Sequence, residues 1–475
     1  MVKKENGSFI NGKIIIKGNK SIQIISPLGS NSISTVEIAT KNELDAAVIA
    51  AKNSFNKWSK TTIKDRVKIF YNYIRLLETR KNEIAELIHQ ENGKLINEAI
   101  LEIEESIDLV KFACSLPQIV AKEDYLSNDN VEYSVIRKPV GIVASIVAFN
   151  YPFMLPHFTI ANSLVLGNCM ILKPSLRTPL SSLFIAKLLQ KAGLPNGVFN
   201  VLVSENEITN DFCEHPGIDA ITFIGSSKIA KLIYQKSTHH FKRCLALGGS
   251  KHHTIVLPDA CPEIAASEIV NSMTICAGQR CLSPSVLLAV GNIDHIIKKI
   301  VLKAESIIPG EHLGSVISSA SKIRIIDFIN EAENSGANLL IDGRKVDEKL
   351  EGNYLGITIL DNVMPGSKVA TDEIFGPVLS IIRVINIDEA IAITNSSKYG
   401  NAASIFTQNE DVISSVLNRI EVGMIGINKC IPSHKHLFSY GGMKESKMGA
   451  CDINGKSSIE FWTRLQKSYR SKDVR

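Results

Sequence analysis

The chain has 475 residues, 53 lysines and arginines against 48 aspartates and glutamates, and a formal net charge of +5. That charge is spread without a long basic run or interleaved aromatics, which speaks against a nucleic-acid surface. The most apolar stretch, Pro139 to Leu155, is broken by Asn150 and Pro152 and is too short to span a bilayer. The length suffices for two or three domains with substantial cores. Met1 to Asn6 lead into polar sequence rather than an apolar signal core, and the nine cysteines show no metal-ligand spacing. The reading is a cytoplasmic protein, without a metal centre, in a reducing compartment.

Residues 8 to 39 read as short strands separated by Gly and Ser-Pro turns. Thr40 followed by Glu43 is a capping box, and Leu44, Val48, Ala51 and Phe55 recur at helical spacing, so a helix starts near Lys41. Amphipathic helices follow from Ile63 to Arg80 and from Lys81 to Cys114, with a break near Glu91-Asn92-Gly93-Lys94. Between Tyr125 and Val140 the pattern turns strand-like, as expected of a hairpin arm. From Gly141 onward, apolar β runs alternate with amphipathic helices: Ile142 to Ala148, Met170 to Lys173, Val198 to Val203 and Ile218 to Phe223. This alternation predicts a parallel sheet covered by helices, with ligands at the carboxyl ends of the strands. A second alternating block runs from His253 to about Asn428, with strands at Thr254 to Leu257, Val286 to Val290, Val378 to Val384 and Ala403 to Phe406. The stretch Ile459 to Leu465 reads as a strand returning to the arm near Val131.

Two strand ends carry polar chemistry. Lys173-Pro174-Ser175 puts an ammonium where it could meet a ribose or phosphate. Phe223-Ile224-Gly225-Ser226 opens a helix whose free N–H groups and hydroxyl suit a phosphate. A solvated lysine and an ordinary Ser N-cap are the bland alternatives. The Gly-x-Gly-x-x-Gly fingerprint of dinucleotide sites is absent. Cys281, in the turn Gly278-Gln279-Arg280-Cys281, is a candidate nucleophile, because a flanking arginine favours a thiolate; the alternative is a small buried hydrophobe.

Together these pieces resemble the aldehyde dehydrogenase superfamily. The resemblance rests on Ala148-Phe149-Asn150-Tyr151-Pro152-Phe153, Lys173-Pro174-Ser175, Phe223-Ile224-Gly225-Ser226, Gly278-Gln279-Arg280-Cys281 and Glu373-Ile374-Phe375-Gly376-Pro377-Val378, all in family order. It implies an α/β fold with two parallel-sheet lobes and a small β oligomerisation arm, in a homotetramer or homodimer. The implied division is 1–124 and 144–252 for the cofactor, 253–430 for catalysis, and 125–143 with 431–475 for the arm and C-terminal return. Within the superfamily the chain is most similar to the CoA-acylating methylmalonate-semialdehyde dehydrogenase group, through Gln279-Arg280-Cys281, Lys251-His252-His253, Pro258-Asp259-Ala260, Phe112-Ala113-Cys114, Phe438-Ser439-Tyr440-Gly441 and Ile459-Glu460-Phe461-Trp462-Thr463.

The resemblance implies that Cys281 attacks a small-molecule aldehyde, and that the Asn150 amide and the Cys281 backbone N–H hold the oxyanion, each donor worth roughly 3 kcal/mol. It places Glu373 and Phe375 on the nicotinamide ribose and ring of NAD. Lys173, Ser226, Gly225 and Phe223 go to the adenosine ribose and pyrophosphate, and Arg280 to a substrate carboxylate. Hydrolytic members carry a water-activating glutamate where this chain has Leu247, or Ala246 in the neighbouring register; without it, the thiol of CoA is the better acceptor. Two further departures stand out. Leu176 replaces a glutamate that selects NAD over NADP, and Glu105 stands where the group carries a second substrate-binding arginine. The competing readings are a hydrolytic NAD(P)-dependent enzyme using another base, such as Glu460, and a non-catalytic cofactor-binding member.

Overall fold

Glu43 fixes the start of the first long helix, Lys41–Trp58, by accepting from the Thr40 backbone N–H at 2.8 Å and from its hydroxyl at 2.6 Å. The computed structural model describes residues 5–29, 31–120, 123–126, 131–430 and 439–471; Met1 to Lys4 and Phe438 lie outside them. Helices Ile63–Thr79, Lys81–Asn92 and Ile96–Ile119 complete the early helical layer. The break between the last two is made by Gly93, at φ 88°, where a side chain would meet Pro27 and Ser315.

Among the described residues, the first sheet has eight strands. Its centre runs parallel in the order Arg243–Leu247, Ala220–Ile224, Ile142–Ile146, Cys169–Lys173, Phe199–Val201. Buried on both faces, these strands read as continuous apolar runs rather than alternating ones. From Ile142–Ile146 the chain first builds outward on one side, then crosses to Ala220–Ile224 on the other. The crevice beyond the carboxyl ends of those two strands is therefore the topological switch point, where such sheets bind ligands.

From Leu247 the chain passes through Gly248 to Lys251 directly into His252–Val256, a strand of the second, seven-stranded sheet. This sheet is ordered Asn338–Ile341, Thr358–Asp361, Val378–Val384, Pro284–Val290, His252–Val256, Ala402–Phe406, Met424–Ile427, parallel except for its first strand. The short connection sets the carboxyl ends of one sheet opposite the amino ends of the other. The arm is Glu123–Leu126 and Val131–Pro139, joined by Thr463–Ser471 with Thr463 opposite Pro139 and Ser471 opposite Val131. The return pairing is as expected, but its start is not: Ser458–Trp462 is a helical turn, because Ile459, Phe461 and Trp462 are all needed in the core.

One buried ion pair ties three of these segments together. The Lys94 ammonium lies 2.5 Å from Glu102 Oε2 and donates to the Asn150 carbonyl at 2.9 Å. Glu102 Oε1 accepts from the backbone N–H groups of Phe153 and Met154, at the start of helix Met154–Val165. Neither charge reaches solvent, and the Lys94 ammonium also sits 4.0 Å from the centre of the Tyr151 ring. Removing one partner strands the other, a loss of about 3–5 kcal/mol. Lys94→Met is expected to lower the melting temperature sharply. Arg137→Ala, which breaks the solvent-facing pair with Glu460, should cost under about 1 kcal/mol. Thermal melts of the two variants against the unmodified protein check the ranking.

Candidate active site

A cavity of about 720 Å³ opens between the two sheets. From the first sheet come Phe149 and Asn150, beyond strand Ile142–Ile146, and Gly225 and Ser226, beyond strand Ala220–Ile224. The second sheet contributes Arg280 and Cys281, before strand Pro284–Val290, and Glu373 and Phe375, before strand Val378–Val384. The expected nucleophile, oxyanion donor and several expected cofactor contacts thus share one space.

The turn that presents Cys281 is backbone of a kind side chains resist. Cys276 and Ala277 have φ of 55° and 52°, followed by Gly278 at 70°. Gly278 cannot carry a side chain, since a Cβ there would lie 2.4 Å from the Gly376 carbonyl oxygen. The surroundings over-determine this conformation. Glu98 Oε1 accepts from the Cys276 N–H at 3.0 Å, the Cys276 thiol donates to the Asn150 carbonyl at 3.3 Å, and the Gln279 side chain bridges the Cys276 carbonyl and the Ile317 N–H. The Asn150 amide donates to the Gln279 carbonyl at 2.9 Å. That bond uses one of its two hydrogens.

Cys281 is partly exposed to the cavity, and all nine cysteines are free thiols. Burial pushes its thiol above the ordinary value of 9.0; a hydrogen bond from Tyr440, the charge of Arg280 and its own backbone N–H pull it back, while Glu373 adds to the rise. The arginine acts in the direction expected from the sequence, but burial outweighs it. Tyr440 Oη donates to Cys281 Sγ at 2.9 Å and accepts from Asn401 Nδ2 at 2.9 Å. Neither residue stands out from local sequence, because both come to Cys281 from far along the chain, Tyr440 to its thiol and Asn401 to its backbone carbonyl; Tyr440 lies in a motif of the family resemblance, and Asn401 carries no such signal.

Glu373 is held by the Ser250 N–H at 2.9 Å and raised by burial, with Lys251 and Arg324 opposing. Its carboxylate lies so close over Gly249 that a Cβ there would be 2.6 Å from Oε2. Lys251 clamps the same turn by donating to the carbonyls of Val369 and Asp372, and burial lowers it to about 7. Ser226 caps helix Ser227–His239 without a side-chain cap bond, so its hydroxyl is not spent on the helix. Phe223 is buried below the cavity, its ring filling the space where Gly225 would carry a Cβ.

Lys173 ends its strand outside the cavity wall, buried, with no carboxylate against its ammonium among the described residues. Burial lowers it to about 8. Leu247 is buried at a strand end, adjacent to the cavity-lining Gly248. Glu105 lines the cavity together with Arg280. Glu460, proposed as an alternative base, is not in the cavity wall: it pairs with Arg137 on the arm, its side chain largely in solvent. Among the described residues no cluster of three or more His, Cys, Asp or Glu is arranged to hold a metal ion, and no helix is long and apolar enough to cross a membrane.

The sequence profile of the aldehyde dehydrogenase family matches residues 15–468. The chain belongs to that family. It is 39% identical over 466 residues to malonate-semialdehyde dehydrogenase 1 of Shouchella clausii (strain KSM-K16), covering 96% of this chain and 95% of that one. A methylmalonate-semialdehyde dehydrogenase structure from Oceanimonas doudoroffii superposes with a TM-score of 0.96 at 33% identity, covering 98% of both chains. Another, from Sinorhizobium meliloti 1021, assigned to the same activity and complexed with NAD, gives a TM-score of 0.96 at 33% identity over 99% of this chain and 98% of that one.

The depressed Lys173 has a signed consequence. Below pH 8 its ammonium is charged in both folded and unfolded chains, so the folded state bears the full desolvation cost; above its ordinary value of 10.5 that cost vanishes. Lys173→Met is therefore expected to raise the melting temperature at pH 7, with the gain shrinking between pH 8 and 10.5. Melts across that range read it directly.

Proposed function

We propose that the protein oxidises a short-chain semialdehyde of the malonate or methylmalonate type with NAD, through a thioester on Cys281 that is passed to CoA. The observation that carries this reading is the single cavity onto which Cys281, Asn150, Arg280 and Glu373 all open, in a chain alike over its length to malonate- and methylmalonate-semialdehyde dehydrogenases. NAD accompanies one of those relatives. This chain has features that fit it: a buried ammonium at Lys173 with no carboxylate against it among the described residues, a helix start at Ser226 whose hydroxyl makes no cap bond, and glycines 225 and 249 where side chains would clash. Lys173 and Ser226 would hold the adenosine ribose and pyrophosphate, supported from below by Gly225 and Phe223, and Glu373 and Phe375 the nicotinamide end. When bound, the nicotinamide supplies the hydride acceptor.

The protein's own part follows from the site. The Cys281 thiolate attacks the aldehyde carbon. The second Asn150 amide hydrogen and the Cys281 backbone N–H receive the developing oxyanion, in a site where desolvation strengthens such bonds. Arg280 receives the substrate carboxylate. Glu105 makes the field around that arginine less cationic, so preference for a semialdehyde over a neutral aldehyde of equal length is expected to be modest. The aliphatic Leu247 leaves the usual water-activating position without a base, which favours CoA over water as the acyl acceptor. Leu176, at the position that selects NAD, is expected to leave some tolerance of NADP.

We further read 1–124 and 144–252 as the cofactor-binding part, 253–430 as the catalytic part, and 125–143 with 431–475 as the arm through which subunits assemble into a homodimer or homotetramer in the cytoplasm.

Purified protein given a semialdehyde, NAD and CoA is expected to yield NADH and acyl-CoA in equal amounts, with sustained turnover only when CoA is present. Cys281→Ser should reduce this by at least three orders of magnitude, on the order of the loss that follows removal of a nucleophile. Free acid formed equally well without CoA would overturn the acylating assignment. Equal efficiency with NADP, or a preference for it, would overturn the choice of NAD.

A further inference from the structure

Tyr440 reaches the thiol with its direction set by its neighbours. Its ring is buried and stacks on Phe158 at 5.9 Å between centroids, and its backbone N–H donates to Asn454 Oδ1 at 2.6 Å. Asn401, itself buried, fixes where the phenolic hydrogen goes. Its Nδ2 lies 3.2 Å from the backbone carbonyl oxygen of Cys281, which can only accept, so the nitrogen and not the oxygen of that amide faces this side. The same nitrogen lies 2.9 Å from Tyr440 Oη, which therefore accepts there and has its one hydrogen left for Cys281 Sγ. The amide, the phenol and the thiol form a directed chain closed by the Cys281 carbonyl.

We propose that Tyr440 is a catalytic residue, aimed by Asn401, whose hydroxyl donates a hydrogen bond to the Cys281 sulfur and stabilises its thiolate both as attacking nucleophile and as leaving group. The proposal rests on Cys281 being the acylated thiol of the reading above. In the attack, a sulfur lone pair forms the carbon–sulfur bond and the carbonyl π pair moves to oxygen. In the transfer, the CoA thiolate, its proton given to solvent, forms a new carbon–sulfur bond; the old bond breaks and its pair returns to Sγ, under the waiting phenol. The phenol keeps its proton throughout, since burial raises it well above the ordinary tyrosine value, and the neighbouring Cys281 and Glu373 raise it further. The other groups acting on the sulfur are Arg280 and the Cys281 backbone N–H, which favour the thiolate, and Glu373, which opposes it. A hydrogen bond to the charged sulfur is the contribution that burial leaves most in need.

Tyr440→Phe removes one oxygen and keeps the ring on Phe158. In the full-length protein without cofactor, alkylation of Cys281 by iodoacetamide is followed from pH 6 to 10.5 by mass spectrometry of the Cys281 peptide. The variant is expected to titrate at higher pH and to react on the order of tenfold more slowly at pH 8, the size expected for one hydrogen bond to a charged group. An unmoved profile would overturn the proposal. Asn401→Ala, which keeps the phenol but frees it to turn, should shift the profile the same way by less; no shift there overturns the aiming role. In turnover, kcat should fall in Tyr440→Phe with KM for aldehyde unchanged, and a loss confined to KM would overturn the catalytic role. Alkylation needs no aldehyde or NAD, so a shifted profile in a protein that oxidises no aldehyde refutes the functional reading while upholding the hydrogen bond.

Discussion

The site depends first on the charge of Lys94 being neutralised inside the protein. An ammonium and a carboxylate without water are tolerable only when their other donors and acceptors find partners, and here backbone groups and the Tyr151 ring supply them. Lys94 reaches Glu102 and the Asn150 carbonyl; Glu102 also accepts from two N–H groups at the start of a helix. The Asn150 carbonyl then takes the Cys276 thiol, and Glu98 takes the Cys276 N–H. The early helical layer is thereby bonded to the loop bearing Asn150 and to the turn bearing Cys281. Helices read from the sequence only as an amphipathic layer thus brace the turn around Asn150 and Cys281 from beneath.

The second constraint is topological. A four-residue passage from Leu247 to His252 turns the end of one sheet into the beginning of the other, so the strand ends bearing Asn150 and Ser226 face the turns bearing Cys281 and Glu373. Strained backbone is concentrated where they meet: Cys276, Ala277 and Phe375 all have positive φ. The thiol's readiness to ionise is a balance of opposing influences, with burial and Glu373 holding the proton on and the phenol, the arginine and the backbone N–H favouring the thiolate. An enzyme that must both form and discharge a thioester has use for a sulfur tuned by such a balance.

Much of this was legible in the sequence because the informative signals are local. The Thr40–Glu43 capping box located a helix start to the residue, and apolar runs such as Val378–Val384 are strands because both faces are covered. Strands Arg243–Leu247, Asn338–Ile341, Thr358–Asp361 and Met424–Ile427 were not read from the sequence, although strands as short, such as Cys169–Lys173 and Ala402–Phe406, were. Ile459 to Trp462 misled because apolar residues needed by the core read alike in a strand and in a helical turn. At the site, Cys281, Asn150 and Glu373 came from ordered motifs, whereas Tyr440 and Asn401 meet Cys281, and the Lys94–Glu102 pair meets Asn150 and Phe153, only across long stretches of chain. The effect of Arg280 on the thiol was foreseen in sign but not in balance, since burial is not written in neighbouring residues.

Gly278 and Gly376 lie back to back, with no side chain between the turn that bears the thiol and the turn that bears Glu373 and Phe375. Two turns in such direct contact cannot fluctuate independently: a displacement of one pushes the other along with it. The spacing between the sulfur and the groups on the facing turn therefore varies less than the position of either turn relative to its sheet. Warming the protein should blur where the site is before it blurs how the site is arranged.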